Sequence, residues 1–169
     1  MELYLIRHGI AVERLIDTKD EERSLTEIGR QKTRKLAQRL DELGLRFDLI
    51  LTSPLVRARQ TAEILYSFGL SSQMEESTSL APDGDIYTWL GWLEQWRQVT
   101  SGSLVLALVG HEPALGQWAE ILVWGEARSG LVLKKAGIIG LTLPEAGSAV
   151  GRSQLFWLTP PKFLLSGGV

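Results

Sequence analysis

The chain contains no cysteine, which excludes disulfides and thiolate metal centres and is compatible with a reducing cytoplasm. It also lacks any apolar run approaching the roughly 18 residues of a membrane span. Strand-forming residues begin at Leu3, where a leader would carry a basic segment followed by an apolar one. A soluble, cytoplasmic protein without an export signal is therefore expected. Charge excess is missing too. A formal net charge of −2 gives no general attraction to nucleic acid or to anionic membranes, so neither is expected as a partner and any anion must be held locally. No repeat, low-complexity tract or biased linker divides the 169 residues. With 44% hydrophobic content, one domain over 1–169 can bury about two-thirds of its unfolded surface, and a monomer is expected.

Histidine is scarce, and its placement is informative. Leu3-Tyr4-Leu5-Ile6 runs directly into Arg7-His8-Gly9, and Leu104 to Val109 runs into Gly110-His111. Continuous apolar runs of this length fit strands buried on both faces, so both histidines of the chain stand at strand ends. Ile10 to Arg23, with the charged cluster Asp17 to Arg23, has no clean period and reads as a loop. A helix is predicted from Thr26, its N-cap, to Gly44, with Ile28, Leu36, Leu40 and Leu43 as its apolar stripe. Phe47 to Thr52 reads as the second strand. Ser53-Pro54 then opens a helix, Ser as N-cap and Pro at the first helical position, which continues toward Gly69 and puts Arg57 in the first turn, where free backbone N–H groups favour an anion.

Leu70 to Asp83 is polar and irregular, with a short edge strand around Met74 to Glu76. Apolar residues at 86, 89, 90 and 93 predict a helix over Ile86–Val99, widened by Trp92 and Trp96, which are assigned to packing in preference to a partner face. Gly110-His111-Glu112-Pro113 opens a helix running to about Trp124. Leu131 to Lys134, Gly137 to Leu143 and Gln154 to Leu158 read as strands, and the tail beyond Pro160-Pro161, with Gly167-Gly168, as frayed. Alternating strands and helices predict an α/β fold, a three-layer α/β/α sandwich on a mostly parallel sheet with an antiparallel piece near the C-terminus.

Ligands of such sheets bind beyond the carboxyl ends of the parallel strands. If the three strands are parallel, Arg7, His8, Arg57 and His111 meet there beside two helix N-termini, with Arg23 as a rim contact. Two guanidiniums and two imidazoles suit a phosphate or another oxyanion. A neutral His8 can attack phosphorus, and His111 can hydrogen-bond the transferring group. A metal site built from His8, His111 and Glu112 is disfavoured, because Arg7 and Arg57 would repel a cation and no H-E-x-x-H spacing is present.

These motifs resemble the histidine phosphatase superfamily, which includes phosphoglycerate mutases and acid phosphatases. The similarity rests on Leu5-Ile6-Arg7-His8-Gly9, Ser53-Pro54 through Arg57 to Gln60-Thr61, and Val109-Gly110-His111-Glu112-Pro113. Ser24-Leu25-Thr26-Glu27-Ile28-Gly29 and Leu80-Ala81-Pro82-Asp83-Gly84-Asp85 extend it. It is greatest to the short SixA-type phosphohistidine phosphatases. The resemblance implies a phosphoglycerate mutase-like fold, His8 as phosphorylated nucleophile, Arg7, Arg57 and His111 as phosphate pocket, and no metal or organic cofactor. Two departures stand out: Ile10-Ala11-Val12 replaces a Glu and polar residues, and the family's proton-donating Glu has no clear counterpart, Asp83 and Asp85 being the nearest candidates. Without a strong general acid the site should favour phosphoramidates over alcohol phosphates, because imidazole leaves more easily than alkoxide. The expected substrate is therefore a phosphohistidine-bearing phosphotransfer protein. The alternatives are a phosphomonoesterase or mutase-like enzyme on small metabolites, and a phosphate-recognition module without turnover.

Overall fold

The computed structural model describes residues 1–14, 19–100 and 102–165. Along the chain it contains β1 (Glu2–Arg7), α1 (Glu27–Glu42), β2 (Leu49–Thr52), α2 (Val56–Ser67), β3 (Met74–Glu76), α3 (Ile86–Val99), β4 (Val105–Gly110), α4 (Ala114–Trp124), β5 (Ile138–Thr142), β6 (Gln154–Thr159) and α5 (Pro161–Leu165). Single 3-10 turns lie at Asp20–Glu22 and Thr78–Leu80. The strands form one sheet in the order β3-β2-β4-β1-β5-β6. The first four of these are parallel, while β5 and β6 join antiparallel at the other edge.

Alternation along the strands decides which layer each residue enters. Leu3, Leu5, Leu49, Leu51, Leu106, Leu108, Ile139 and Leu141 face α3 and α4, meeting Ile86, Trp89, Leu93, Leu115, Trp118 and Leu122. Tyr4, Ile6, Ile50, Ala107, Val109 and Ile138 face the opposite layer, meeting Leu36, Ala37 and Leu40 of α1 and Ala58, Ala62 and Leu65 of α2. The result is the predicted α/β/α sandwich. Trp92 and Trp96, stacked at 5.6 Å, lie partly buried against the first cluster, in keeping with a packing role.

The register pairs Arg7 with Gly110 and Thr52 with Val109. The carboxyl ends of β1, β2 and β4 are thereby level, and the residues that follow each strand emerge at one edge.

Four local expectations are corrected. The buried face of α1 is Gly29, Thr33, Leu36, Ala37 and Leu40; Ile28 and Leu43 are exposed, because α1 approaches the backbone after β1 through its small residues. Helix α2 begins at Val56 with Leu55 as N-cap, so neither Ser53 nor Pro54 has its predicted capping position; the Ser53 hydroxyl is engaged elsewhere, as described below. Residues 131–134 form no strand; the Leu131 and Leu133 N–H groups go to the carboxylates of Glu120 and Glu112. The tail is not frayed over 161–165: α5 packs Leu164 and Leu165 against the α1–α2 layer, while Gly167 and Gly168 lie outside the described residues. Within the predicted loop over Ile10–Arg23, residues 15–18 also lie outside them. Among the described residues no helix is long and apolar enough to cross a membrane.

Candidate active site

At the level edge lies a cavity of about 350 Å³ lined by Arg7, His8, Asp20, Arg23, Arg57, Pro82, His111, Glu112 and Lys135. Five of the residues singled out from sequence, Arg7, His8, Arg57, His111 and Arg23, are thus brought together. Asp83 and Asp85 are not among the lining residues. Both are exposed, and the Asp85 carboxylate caps α3 by accepting from the Thr88 N–H at 2.8 Å and the Thr88 hydroxyl at 2.9 Å.

His8 follows β1 and is buried. Its Nδ1 lies 2.7 Å from the Gly9 carbonyl oxygen. A carbonyl can only accept, so Nδ1 carries the proton and the Nε2 lone pair is left free. The Gly9 N–H donates to Thr61 Oγ1 at 3.0 Å, and that hydroxyl donates to the Arg57 carbonyl at 2.8 Å, tying β1's end to α2. A side chain at position 9 would not fit: its Cβ would stand 2.6 Å from Thr33 Oγ1.

His111 follows β4, its ring centroid 5.2 Å from that of His8. Its Nε2 lies 2.8 Å from Ser53 Oγ, a hydroxyl that also accepts from the Leu55 N–H at 3.3 Å. Burial pushes the His8 imidazole down to about 3; His111, Arg57 and Arg7 add to this, while the Gly9 bond opposes it. His111 is pushed down to about 4 by burial, then by Arg57 and Arg7, with Asp20 opposing. Both rings are therefore neutral at physiological pH.

The cations are held in different ways. Arg7 Nη1 donates to the Leu133 carbonyl at 2.8 Å, and burial lowers the guanidinium from its ordinary range. Arg57 reaches across from α2 to Asp20, Nη1 donating to its carbonyl at 2.6 Å and Nη2 to its carboxylate at 2.8 Å. Arg23 Nη1 binds the other Asp20 oxygen at 2.8 Å. Among the described residues, four buried side-chain nitrogens lack a hydrogen-bond partner in the protein, and two of them, Arg7 Nε and His111 Nδ1, belong to this site. Arg7 Nε can only donate, so it is a buried donor left for an acceptor at this site.

Several members were not legible as site residues. Asp20 sat in an aperiodic charged cluster, and Ser53 read as a helix cap. Glu112 was considered only as a metal ligand. Here its carboxylate accepts from the Leu133 N–H at 2.7 Å, and burial raises its pKa against the pull of that bond and of Arg7. Glu120, fully buried on α4, accepts from the N–H groups of Arg128, Ser129, Gly130 and Leu131. Together the two glutamates hold the loop whose Leu133 carbonyl receives Arg7.

Comparisons with known proteins agree with this geometry. The family model of the histidine phosphatase superfamily (branch 1) matches residues 3–80. An uncharacterized protein of Picosynechococcus sp. is 49% identical over 166 residues, 98% of this chain and 99% of that one. The phosphohistidine phosphatase SixA of Escherichia coli is 28% identical over 156 residues, 92% of this chain and 93% of its own length. Among solved structures, the protein histidine phosphatase SixA complexed with tungstate matches with a TM-score of 0.83 at 27% identity, covering 97% of this chain and 99% of that chain.

Proposed function

The chain belongs to the histidine phosphatase superfamily and is a phosphatase, and on that premise we propose that it hydrolyses phosphohistidine borne by a cytoplasmic signalling protein, through a covalent phospho-His8 intermediate. The observation that carries this reading is the His8 ring itself. Its Nδ1 proton is fixed on the Gly9 carbonyl, leaving Nε2 as a free base in a buried, cation-lined cavity.

In the first step the Nε2 lone pair forms a bond to phosphorus, and the bond from phosphorus to the substrate's imidazole nitrogen breaks with its electron pair going to that ring, which leaves as neutral imidazole because its other nitrogen already carries a proton. Arg7, Arg57 and neutral His111 hydrogen-bond the equatorial oxygens, where charge accumulates. Water then attacks phospho-His8, giving inorganic phosphate and restoring the free imidazole. The acids that an ester would need support the choice of substrate. Asp83 and Asp85 stand outside the cavity lining, and Asp20 is held ionised, chiefly by its hydrogen bond to Arg23 and also by Arg57, against the effect of burial. An imidazole leaving group dispenses with a strong acid. The similarity to a phosphohistidine phosphatase over 92% of the chain points the same way.

One observation favours a second reading. Glu112 lines the cavity and burial pushes its carboxyl upward, which suits a proton donor for small phosphomonoesters. A module that binds without turnover is set aside by membership in a family of phosphatases.

The test is single-turnover labelling with a radiolabelled phosphohistidine protein and, separately, with an aryl phosphate. Acid-labile label on His8 from both, formed quickly only in the protein reaction, is expected. Equally rapid labelling by the aryl phosphate, abolished in Glu112→Gln, would replace the first reading with the second; absence of label from either would refute the covalent step.

A further inference from the structure

The Arg57 fork is already occupied by an anion of the protein's own. Both terminal nitrogens of this arginine, whose side chain is 6% exposed, are spent on Asp20. Carboxylate and phosphoryl oxygens seek the same planar pair of donors, so a phosphoryl group bound by Arg57 competes with Asp20 for them. The two cannot sit side by side without cost. Asp20 stays ionised through the neutral range, its other oxygen on Arg23, and a second negative charge within contact distance repels a dianion. The lining otherwise carries Arg7, Arg23 and Lys135 against a single further carboxylate, Glu112. Asp20 is therefore the lining carboxylate in direct contact with Arg57.

We infer that Asp20 is a specificity-determining residue that competes with bound phosphate for Arg57, weakening retention of free phosphate and favouring substrates that bring further contacts to the mouth of the cavity. This rests on reading the cavity as a phosphoryl site. The opposite role is equally definite: a carboxylate that merely aims Arg57 at its ligand would strengthen anion binding. The two roles differ in sign, so one measurement separates them.

The experiment is titration of the full chain with inorganic phosphate and with tungstate by calorimetry, comparing the wild type with Asp20→Asn and Asp20→Ala. Asn keeps the shape without the charge, and Ala removes the acceptor, so the pair guards against a folding defect in either; thermal melting is recorded for each. The expected result is tighter binding of both anions by about two- to fivefold in Asn, and at least as much in Ala, the range a partly exposed ion pair allows. Stronger product inhibition by phosphate should accompany it. Unchanged or weaker binding in a folded variant, with the wild type binding normally, would overturn the role of Asp20 and leave the phosphoryl site intact. Failure of the wild type and both variants to bind either anion would overturn both.

Discussion

Two neutral imidazoles buried at one cavity make the fold sensitive to acid, and the size of that sensitivity can be worked out. In the unfolded chain each histidine titrates near 6.5; in the folded state His8 is lowered to about 3 and His111 to about 4. Below pH 6.5 the unfolded chain takes up protons that the folded one refuses, so stability falls as pH falls. The contribution is complete above about pH 6.5 and is progressively lost down to the folded values. At pH 5 each histidine has cost about 2 kcal/mol, since one pH unit is worth about 1.4 kcal/mol per proton. Together they amount to about 4 kcal/mol, a large share of the roughly 5–15 kcal/mol of an ordinary domain. Glu112 works with the opposite sign, because a carboxyl raised by burial accepts its proton more readily in the folded state.

The assay is urea unfolding at pH 7 and pH 5 for the wild type, His8→Asn, His111→Asn and the double variant. Asn places an amide N–H near the position of Nδ1 and has no proton to gain. Each single variant should lose about half of the wild-type fall in stability, and the double variant most of it. A double variant with the wild-type pH dependence would refute the assignment of buried neutral imidazoles, and with it the account of how His8 is kept nucleophilic.

Arg57→Gln should lower turnover about 10²- to 10³-fold, as expected for loss of one preorganised donor, with single-turnover labelling of His8 as the measurement. Trp89→Ala should destabilise by about 3–5 kcal/mol in urea unfolding, because the ring is fully buried and packs 5.5 Å from Trp118 between the sheet and α4. Gly29→Ala should cost about 1–3 kcal/mol in the same assay, since its Cβ would stand 2.0 Å from the Ile10 carbonyl oxygen and must push the segment after His8 away from α1; a stability equal to wild type would mean that this close approach is not kept in solution.

The strands that carry the histidines were legible because the requirement on them is local. A strand buried on both faces needs an unbroken apolar run, and the run ends where chemistry begins, at Arg7-His8 and at Gly110-His111. The helix over Ile86–Val99 was legible for a related reason: its stripe has the helical period, and Asp85 supplies a cap three residues before the Thr88 N–H that it accepts. Asp20 was obscured by its neighbours, because a run of mixed charges has the same appearance whether it is solvated or whether one member reaches 37 residues ahead to Arg57.

The segment Leu131–Lys134 shows where such reading stops. Leu-Val-Leu has the composition of a strand, and a strand is one way to satisfy its N–H groups. In this fold two carboxylates offer another: Glu120 of α4 takes the Leu131 N–H and Glu112, just ahead of that helix, takes that of Leu133, so the segment runs without a ladder. Backbone groups must find partners, but composition does not say whether the partner is a strand or a carboxylate on a helix. The substitution has a consequence at the site. A ladder would have consumed carbonyls along the segment in pairs, whereas carboxylates, which only accept, engage N–H groups alone and leave the Leu133 carbonyl free to receive Arg7. The misread strand and the contact that holds Arg7 thus have one physical cause, two acidic side chains, Glu112 just ahead of α4 and Glu120 within it.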